Sequence, residues 1–488
     1  HGTTGYRPKL VVTYSMPTFG ADAGPGNDYL WLTPNWTMDI RQDNMKADRL
    51  ALIRYFSGSD DDDGFVETAY ENGMKVIYLI GAGDKYSSGS QTTYPTAASF
   101  ATHVFNELNP ISDYIDGTIS NTVIAVELGN EEDGEMKWST VGQDYNGGQS
   151  FAAYYVEARE EIKQHWPQLE IISGGSLSYH KDFHGYIANP NDIGAGARAF
   201  LCGFIDKATD EALTDLQGAY DYLPDTLAIH GYIVNHYSPE DHVTTAVPEW
   251  GGPYSEWKYR MACLVESCTA RGWLPNIAVT EYGYSPTSGN DWAPLSGASQ
   301  TSQAVYYMRS CLLNATVCVP GINWKYSLYF HHPMDSADVG FHDSVPDVYP
   351  GADRAIRYVA REIGCATGNS PGLCAESTIW SPLETREEGD STYSAWCGWK
   401  RSDGSLFGAI WQYQHSWNYF QATPELLDYV VDGEYDQYYA NRYRFTISSG
   451  TASYQPVGTP IQGVYADGKT TWSIPQVDEN PTFLLFDY

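Results

Sequence analysis

Thr122-Val123-Ile124-Ala125-Val126-Glu127-Leu128-Gly129-Asn130-Glu131 is an apolar, β-branched run that stops in Asn-Glu. Such a run reads as a buried strand that delivers a carboxylic acid at its carboxyl end. A second stretch repeats the arrangement: Asn276-Ile277-Ala278-Val279-Thr280-Glu281-Tyr282-Gly283 again sets a Glu where hydrophobicity stops and a Gly-containing loop begins. In a closed parallel barrel the carboxyl ends of all strands surround one mouth, so two strand-end Glu can converge there across a long sequence gap.

Working outward from these two runs, short apolar segments followed by Gly, Ser or Asp recur along the chain. Leu10 to Met16, Leu50 to Phe56 and Met74 to Gly81 read as the first three strands, and the fourth ends at Glu131. Glu170 to Ser176, Thr226 to Val234, Asn276 to Glu281 and Val319 to Leu328 supply four more. Helical periodicity is found over Ser150 to Trp166, Ser255 to Ala270, Ser302 to Leu313 and Ala352 to Ile363. Alternating strands and helices predict an α/β chain, a (β/α)8 TIM barrel over residues 1–370. From residue 371 to 488 the pattern changes to short alternating runs with hairpin signals at Asp403-Gly404 and Asp467-Gly468. This part reads as a C-terminal antiparallel β-sandwich packed on the barrel.

Composition narrows the function classes. Among 488 residues, 28 Lys plus Arg stand against 61 Asp plus Glu, a net charge of −33. That charge repels nucleic acid and anionic membranes, so neither is an expected partner. No window approaches the roughly 20 continuous apolar residues of a membrane span. Fifteen Trp and 39 Tyr provide many flat, half-polar faces suited to stacking on sugar rings, as well as to filling cores. The chain begins at His1 and carries eight Cys, which fits a secreted, extracellular protein, with Cys311/Cys318 and Cys365/Cys374 the most plausible short disulfide loops. Asn35-Trp36-Thr37 and Asn314-Ala315-Thr316 are glycosylation sequons.

The residues about the two Glu define a chemistry. Paired carboxyls at one mouth suit glycoside hydrolysis, in which one acid protonates the leaving oxygen and one carboxylate attacks or activates water. Asn130 before Glu131, Arg54 near the end of the second strand, His230 and Tyr232 on the sixth and Trp324 on the eighth make the set similar to clan A retaining glycoside hydrolases. Glu127-Leu128-Gly129-Asn130-Glu131 is the most specific piece of this resemblance, which covers about three quarters of the chain. The resemblance implies that Glu131 is the acid/base and Glu281 the nucleophile, acting on a polysaccharide or oligosaccharide without a metal or cofactor. It does not extend to a single family, since the segment from Leu177 to Pro224 and the loop from His236 to Trp257 match none.

On physical grounds, an Arg54 guanidinium beside Glu281 would stabilise the ionised carboxylate needed for attack. Asn130 would donate to a sugar hydroxyl, His230 or Tyr232 would orient Glu281, and Trp324 would floor the ring being cleaved. Trp31, Trp36, Trp250, Tyr254, Trp257 and Trp292 lie in strand-end loops and would pave an extended cleft, favouring endo over exo action. A catalytically silent sugar-binding protein on the same barrel is the alternative of a different class. Glu127 shares the inward face with Glu131 by period-two alternation and reads as either a buried structural partner or a tuner of the site. Glu132, Asp133 and Glu135 read as a solvated loop.

Three other motifs fail on their own chemistry. Ser59-Asp60-Asp61-Asp62-Asp63-Gly64 does not fit a calcium loop, because Ser59 and Tyr70 occupy its first and twelfth ligand positions. It reads instead as the start of a helix capped by Asp63 and ended by Gly73. Gly174-Gly175-Ser176-Leu177-Ser178 lacks the last Gly of an esterase nucleophile elbow. His331-His332 lacks the helical spacing of a zinc site.

Overall fold

A computed structural model of the chain describes residues 18–25, 52–57, 62–81, 96–130, 132, 145–175, 200, 203–208, 223–230, 268–269, 273–274, 276–281, 300–316, 323–329, 366–367, 370–371, 378–388, 392–401, 403–414, 422–448 and 451–488. Eight parallel strands close a barrel in sequence order. They are β1 (Thr18–Pro25), β2 (Leu52–Phe56), β3 (Lys75–Ile80), β4 (Val123–Asn130), β5 (Glu170–Gly175), β6 (Thr226–His230), β7 (Asn276–Glu281) and β8 (Asn323–Tyr329).

The first strand differs from expectation. Leu10–Met16 lies outside the described residues, and the place between β8 and β2 is held by Thr18–Pro25, which pairs with both. Ring closure needs a segment bonded on both edges, and that long-range demand overrides the local preference for apolar, β-branched residues.

Period-two alternation sorts the strand residues into two layers. Leu52, Ile77, Ala125, Ile172, Ala228, Ala278, Tyr326 and Leu328 fill the barrel interior. Their neighbours Ile53, Val76, Val126, Ile171, Leu227, Ile277 and Val279 face the surrounding helices. Both faces are dry, which is why these strands read as continuous apolar runs.

Four long helices are described: α1 (Asp62–Glu71), α2 (Ala97–Leu108), α3 (Tyr145–His165) and α4 (Gln300–Thr316). α1 starts within the acidic run and ends before Gly73, whose φ of +70° suits a residue without Cβ. α2 was not legible in the periodicity. It begins with a reciprocal capping box, Thr96 Oγ1 accepting from Ser99 N at 3.1 Å and Ser99 Oγ from Thr96 N at 3.2 Å. Ser at the third position is a weaker signal than the usual Glu or Gln. Of the expected helix over 255–270, 268–269 are described and helical, while 352–363 lies outside the described residues. No described helix is long and apolar enough to cross a membrane.

A ribbon of β9 (Ala366–Thr367) and β10 (Ser370–Pro371) precedes two antiparallel sheets. The larger contains β11 (Thr378–Glu387), β12 (Thr392–Lys400), β13 (Leu406–Gln414), β15 (Tyr439–Ser448), β16 (Thr451–Pro456), β17 (Ile461–Gln462) and β20 (Thr482–Asp487). The smaller contains β14 (Glu425–Asp432), β18 (Val464–Ala466) and β19 (Lys469–Val477). Trp396, Ile410, Leu484 and Phe486 of the larger sheet meet Leu427, Tyr429, Trp472 and Ile474 of the smaller in one buried cluster. On the opposite face Cys397, Trp399, Phe407, Ala409, Trp411 and Phe483 join the cluster that covers the barrel. β12 and β13 are therefore buried on both sides, although antiparallel strands commonly keep one wet face. Both expected hairpin turns form. Gly404 has φ +90°, and Asp467 and Gly468 have φ +52° and +83°, the two positive values a type I′ turn requires.

Among the described residues no disulfide is present: Cys268, Cys311 and Cys397 are buried thiols. Cys311 packs in the main core with Leu312 and Leu313. Cys318, Cys365 and Cys374 lie outside the described residues.

The amino end of the barrel is closed by a polar knot. Glu170, first residue of β5, accepts from Thr226 Oγ1 of β6 and from two groups of β8: Lys325 Nζ at 2.5 Å and Tyr326 OH at 2.7 Å. Burial and the Glu170 carboxylate push the Tyr326 hydroxyl far above its ordinary pKa, since both oppose a phenolate.

Candidate active site at the carboxyl end of the barrel

Arg54 organises the opposite end. It points inward two residues beyond Leu52, and its side chain is 1% exposed. A buried guanidinium must place its N–H groups on acceptors, and four bonds among the described residues do so. Nε donates to Glu127 Oε2 at 2.5 Å and Nη2 to Glu127 Oε1 at 3.1 Å, a bidentate pair with β4. Nη2 also donates to Asn130 Oδ1 at 2.8 Å, and Nη1 donates to Glu281 Oε1 at 2.6 Å. Thr280 Oγ1 adds a bond to Glu127 Oε1 at 3.1 Å. Strands β2, β4 and β7 are thereby tied through one cation.

Two departures from strict alternation make this convergence possible. On β7, Ala278 faces inward, so Thr280 also does and Glu281 would face out. The register with β6 shifts there: Ile229 pairs with Val279, and His230 pairs with Glu281. One extra residue on β7 is a β-bulge, a device that re-aims side chains beside functional sites, and it lets both Thr280 and Glu281 reach the interior network. On β4, Ala125 and Glu127 face inward, so Asn130 would face out. Gly129 adopts φ +91°, and past it Asn130 Oδ1 meets the Arg54 guanidinium.

Glu132 corrects the expectation of a solvated loop, being 1% exposed. Its Oε1 accepts the Asn130 backbone N–H at 2.9 Å, and its side chain lies where a Cβ on Gly129 would sit, 2.5 Å from that Oε1. A buried backbone N–H needs an acceptor once the ladder ends, and the carboxylate folds back to supply it.

Arg54, Asn130 and Glu281 are thus brought together as the sequence suggested, and Glu127 joins them. His230 stands in register beside Glu281 at the tip of β6. Glu131 and Tyr232 lie outside the described residues, as do the loop aromatics Trp31, Trp36, Trp250, Tyr254, Trp257 and Trp292. Trp324 pairs in register with Ile277, the second residue of β7, whereas Glu281 is the last. Thr280 and Glu132 were missed by sequence reasoning. Thr280 carries no signal, because alternation sends it away from its neighbour Glu281. Gly129 is the one residue that warns of a break.

No protein-family model matches the chain, and no curated protein matches it in sequence. Solved structures do share its fold. A family 39 glycoside hydrolase from Bacteroides cellulosilyticus WH2 superposes with a TM-score of 0.52 at 16% identity, over 97% of this chain and 81% of the other. A family 51 α-L-arabinofuranosidase from Bifidobacterium longum gives 0.54 at 10% identity, over 98% and 97%. A family 44 endoglucanase from Clostridium thermocellum, Cel44A, gives 0.50 at 13% identity, over 97% of each chain. The chain has the fold of clan A glycoside hydrolases, in agreement with the resemblance carried by its strand-end residues.

Proposed function

We propose that this protein is a secreted retaining β-glycoside hydrolase that cleaves a polysaccharide internally by double displacement. Its catalytic unit is a (β/α)8 barrel over residues 1–370, followed by a β-sandwich domain over 371–488. The observation that carries the reading is the buried Glu281 carboxylate at the tip of β7, held by Arg54 Nη1 at 2.6 Å. A guanidinium in contact favours the charged form of a carboxylate, and a nucleophile must be charged to attack an anomeric carbon.

Glu281 attacks the anomeric carbon while Glu131 gives its proton to the departing glycosidic oxygen. Glu131, now ionised, then takes a proton from the water that hydrolyses the glycosyl ester on Glu281. Asn130, fixed by Arg54 at its Oδ1, keeps its amide N–H groups for a sugar hydroxyl beside the reacting carbon. Internal cleavage is supported by the aromatic residues of the strand-end loops and is checked by product analysis, because an exo enzyme releases monomers from long oligosaccharides.

The test uses a panel of plant and algal polysaccharides and 2,4-dinitrophenyl β-glycosides. Glu131→Ala should nearly abolish cleavage of the natural glycan while sparing attack on the activated glycoside, and azide should accelerate turnover by forming a β-glycosyl azide. Proton NMR should show the β anomer released first. An α anomer released first, or equal slowing of both substrates without an azide adduct, rejects the mechanism.

A further inference from the structure

We infer that Glu127 is a positioning residue that keeps the fork of Arg54 turned away from Glu281. This inference rests on the reading of Glu281 as nucleophile. Arg54 is one cation between two buried carboxylates, with Glu127 0% exposed and Glu281 6%. The three groups together carry one net negative charge when both carboxylates are ionised. The sharing is unequal. Glu127 takes the Nε and Nη2 edge at 2.5 and 3.1 Å, while Glu281 receives Nη1 at 2.6 Å. A fork facing a carboxylate on two parallel N–H bonds is the most stable pairing the guanidinium can make. A nucleophile bound in that way would be stabilised in the ground state and would lose that stabilisation as its charge passed to the sugar, which slows the step.

Glu127 occupies the fork and is itself held by the Thr280 hydroxyl at 3.1 Å, one residue before Glu281. Thr280 faces inward by alternation from Ala278, and the bulge on β7 brings Glu281 in beside it. The arrangement orients the guanidinium plane, so that Nη1 meets Glu281 end-on and Nη2 meets Asn130. Glu127 touches no reacting atom in this scheme and acts through Arg54. Among the described contacts Glu281 is bonded to Arg54 of β2, which also holds Glu127 of β4, and its backbone stands in register with His230 of β6.

The test measures kcat and KM against pH on whichever 2,4-dinitrophenyl β-glycoside the full-length protein hydrolyses. Glu127→Gln should lower kcat about 100-fold with little change in KM, because the reacting geometry is disturbed and substrate contacts are not. Loss of one negative charge beside the Arg54–Glu281 pair should move the acid limb of kcat/KM down by about one pH unit. Glu127→Asp keeps the charge and should keep the limb in place, recovering part of kcat. In an Arg54→Lys background, Glu127→Gln should cost little more, since the fork it guards is gone. Should Glu127→Gln fail to fold by circular dichroism, Thr280→Val is measured in its place, and the expected kcat loss is about 10-fold. An unmoved acid limb in Glu127→Gln, or losses that add fully with Arg54→Lys, overturns the inference. If Glu281→Gln keeps near-normal activity, the nucleophile assignment fails first and this inference falls with it. If Glu281→Gln is dead and the limb does not move, the positioning role alone is wrong.

Discussion

At the amino end of the barrel, Glu170 accepts from one cation, Lys325, and from the hydroxyls of Tyr326 and Thr226. At the carboxyl end, Glu127 and Glu281 share one cation, Arg54, with Thr280 supplying the hydroxyl. The inventories are alike, but the charge balance differs. Among the described contacts Glu170 has a cation to itself, whereas Glu127 and Glu281 share one. The lower end of such barrels is where stability is read, and the upper end is where chemistry is.

The sharpest way to break this contrast is Glu281→Gln. The near-isosteric change should lower kcat by about 10⁴-fold or more while the melting temperature shifts by no more than about 2 °C. Near-normal turnover would move the chemistry away from the barrel mouth.

The mirror experiment is Glu170→Ala, which strips the lower knot of its acceptor. Lys325 is 37% exposed and can turn to water, but Tyr326 is buried, so the cost should be about 2 kcal/mol of stability. Urea unfolding measures it. Turnover per folded molecule should be unchanged, and a kcat loss matching that of Glu281→Gln would erase the distinction between the two ends.

Gly129→Ala separates backbone strain from site geometry. A side chain at φ +91° costs on the order of 1–2 kcal/mol, and its Cβ would press on Glu132. Gly404→Ala, at φ +90° in open space, is the control with the same strain. Both should lose similar stability, but Gly129→Ala should also lower kcat, because Asn130 leaves Arg54. Equal activity in the two variants would mean that the strand tip tolerates re-aiming.

The smallest effect is a pH dependence of the lower knot. Tyr326 holds its proton in the folded chain above the ordinary phenol value of 10.0. Its contribution to stability is full below pH 10 and is lost as pH rises above it, where the unfolded chain releases a proton that the folded chain keeps. Between pH 10 and 11, Tyr326→Phe should lose stability less steeply than the parent, by about 1.4 kcal/mol per pH unit at most. Equal slopes would show that Tyr326 titrates freely.

How far the sequence reached follows from what is local and what is not. Val123 to Val126 and Ile277 to Val279 announce buried strands because both faces of a barrel strand are dry, and their terminal acids announce a mouth of carboxyls. Asn130 and Glu281 could be named in advance because each closes its strand and strand tips share one rim, and Arg54, third of the five residues of β2, reaches both through its long side chain. Register is what no local pattern encodes: Trp324 ranks along β8 by pairing with Ile277. The first strand was misplaced for the same reason, since Thr18–Pro25 is selected by bonding to β8 and β2.

The sequence by itself therefore determined the architecture and the supply of acids, because hydrophobic period and strand ends are properties of short stretches of chain. Which acid faces which cation was decided by the tertiary structure alone. Alternation predicts facing only while the ladder is regular, and at both decisive tips it is broken, by a left-handed Gly129 on β4 and by one extra residue on β7. Those breaks let Asn130 and Glu281 reach one guanidinium while Thr280 holds Glu127, and the one on β7 exists only in the pairing of strands far apart in sequence.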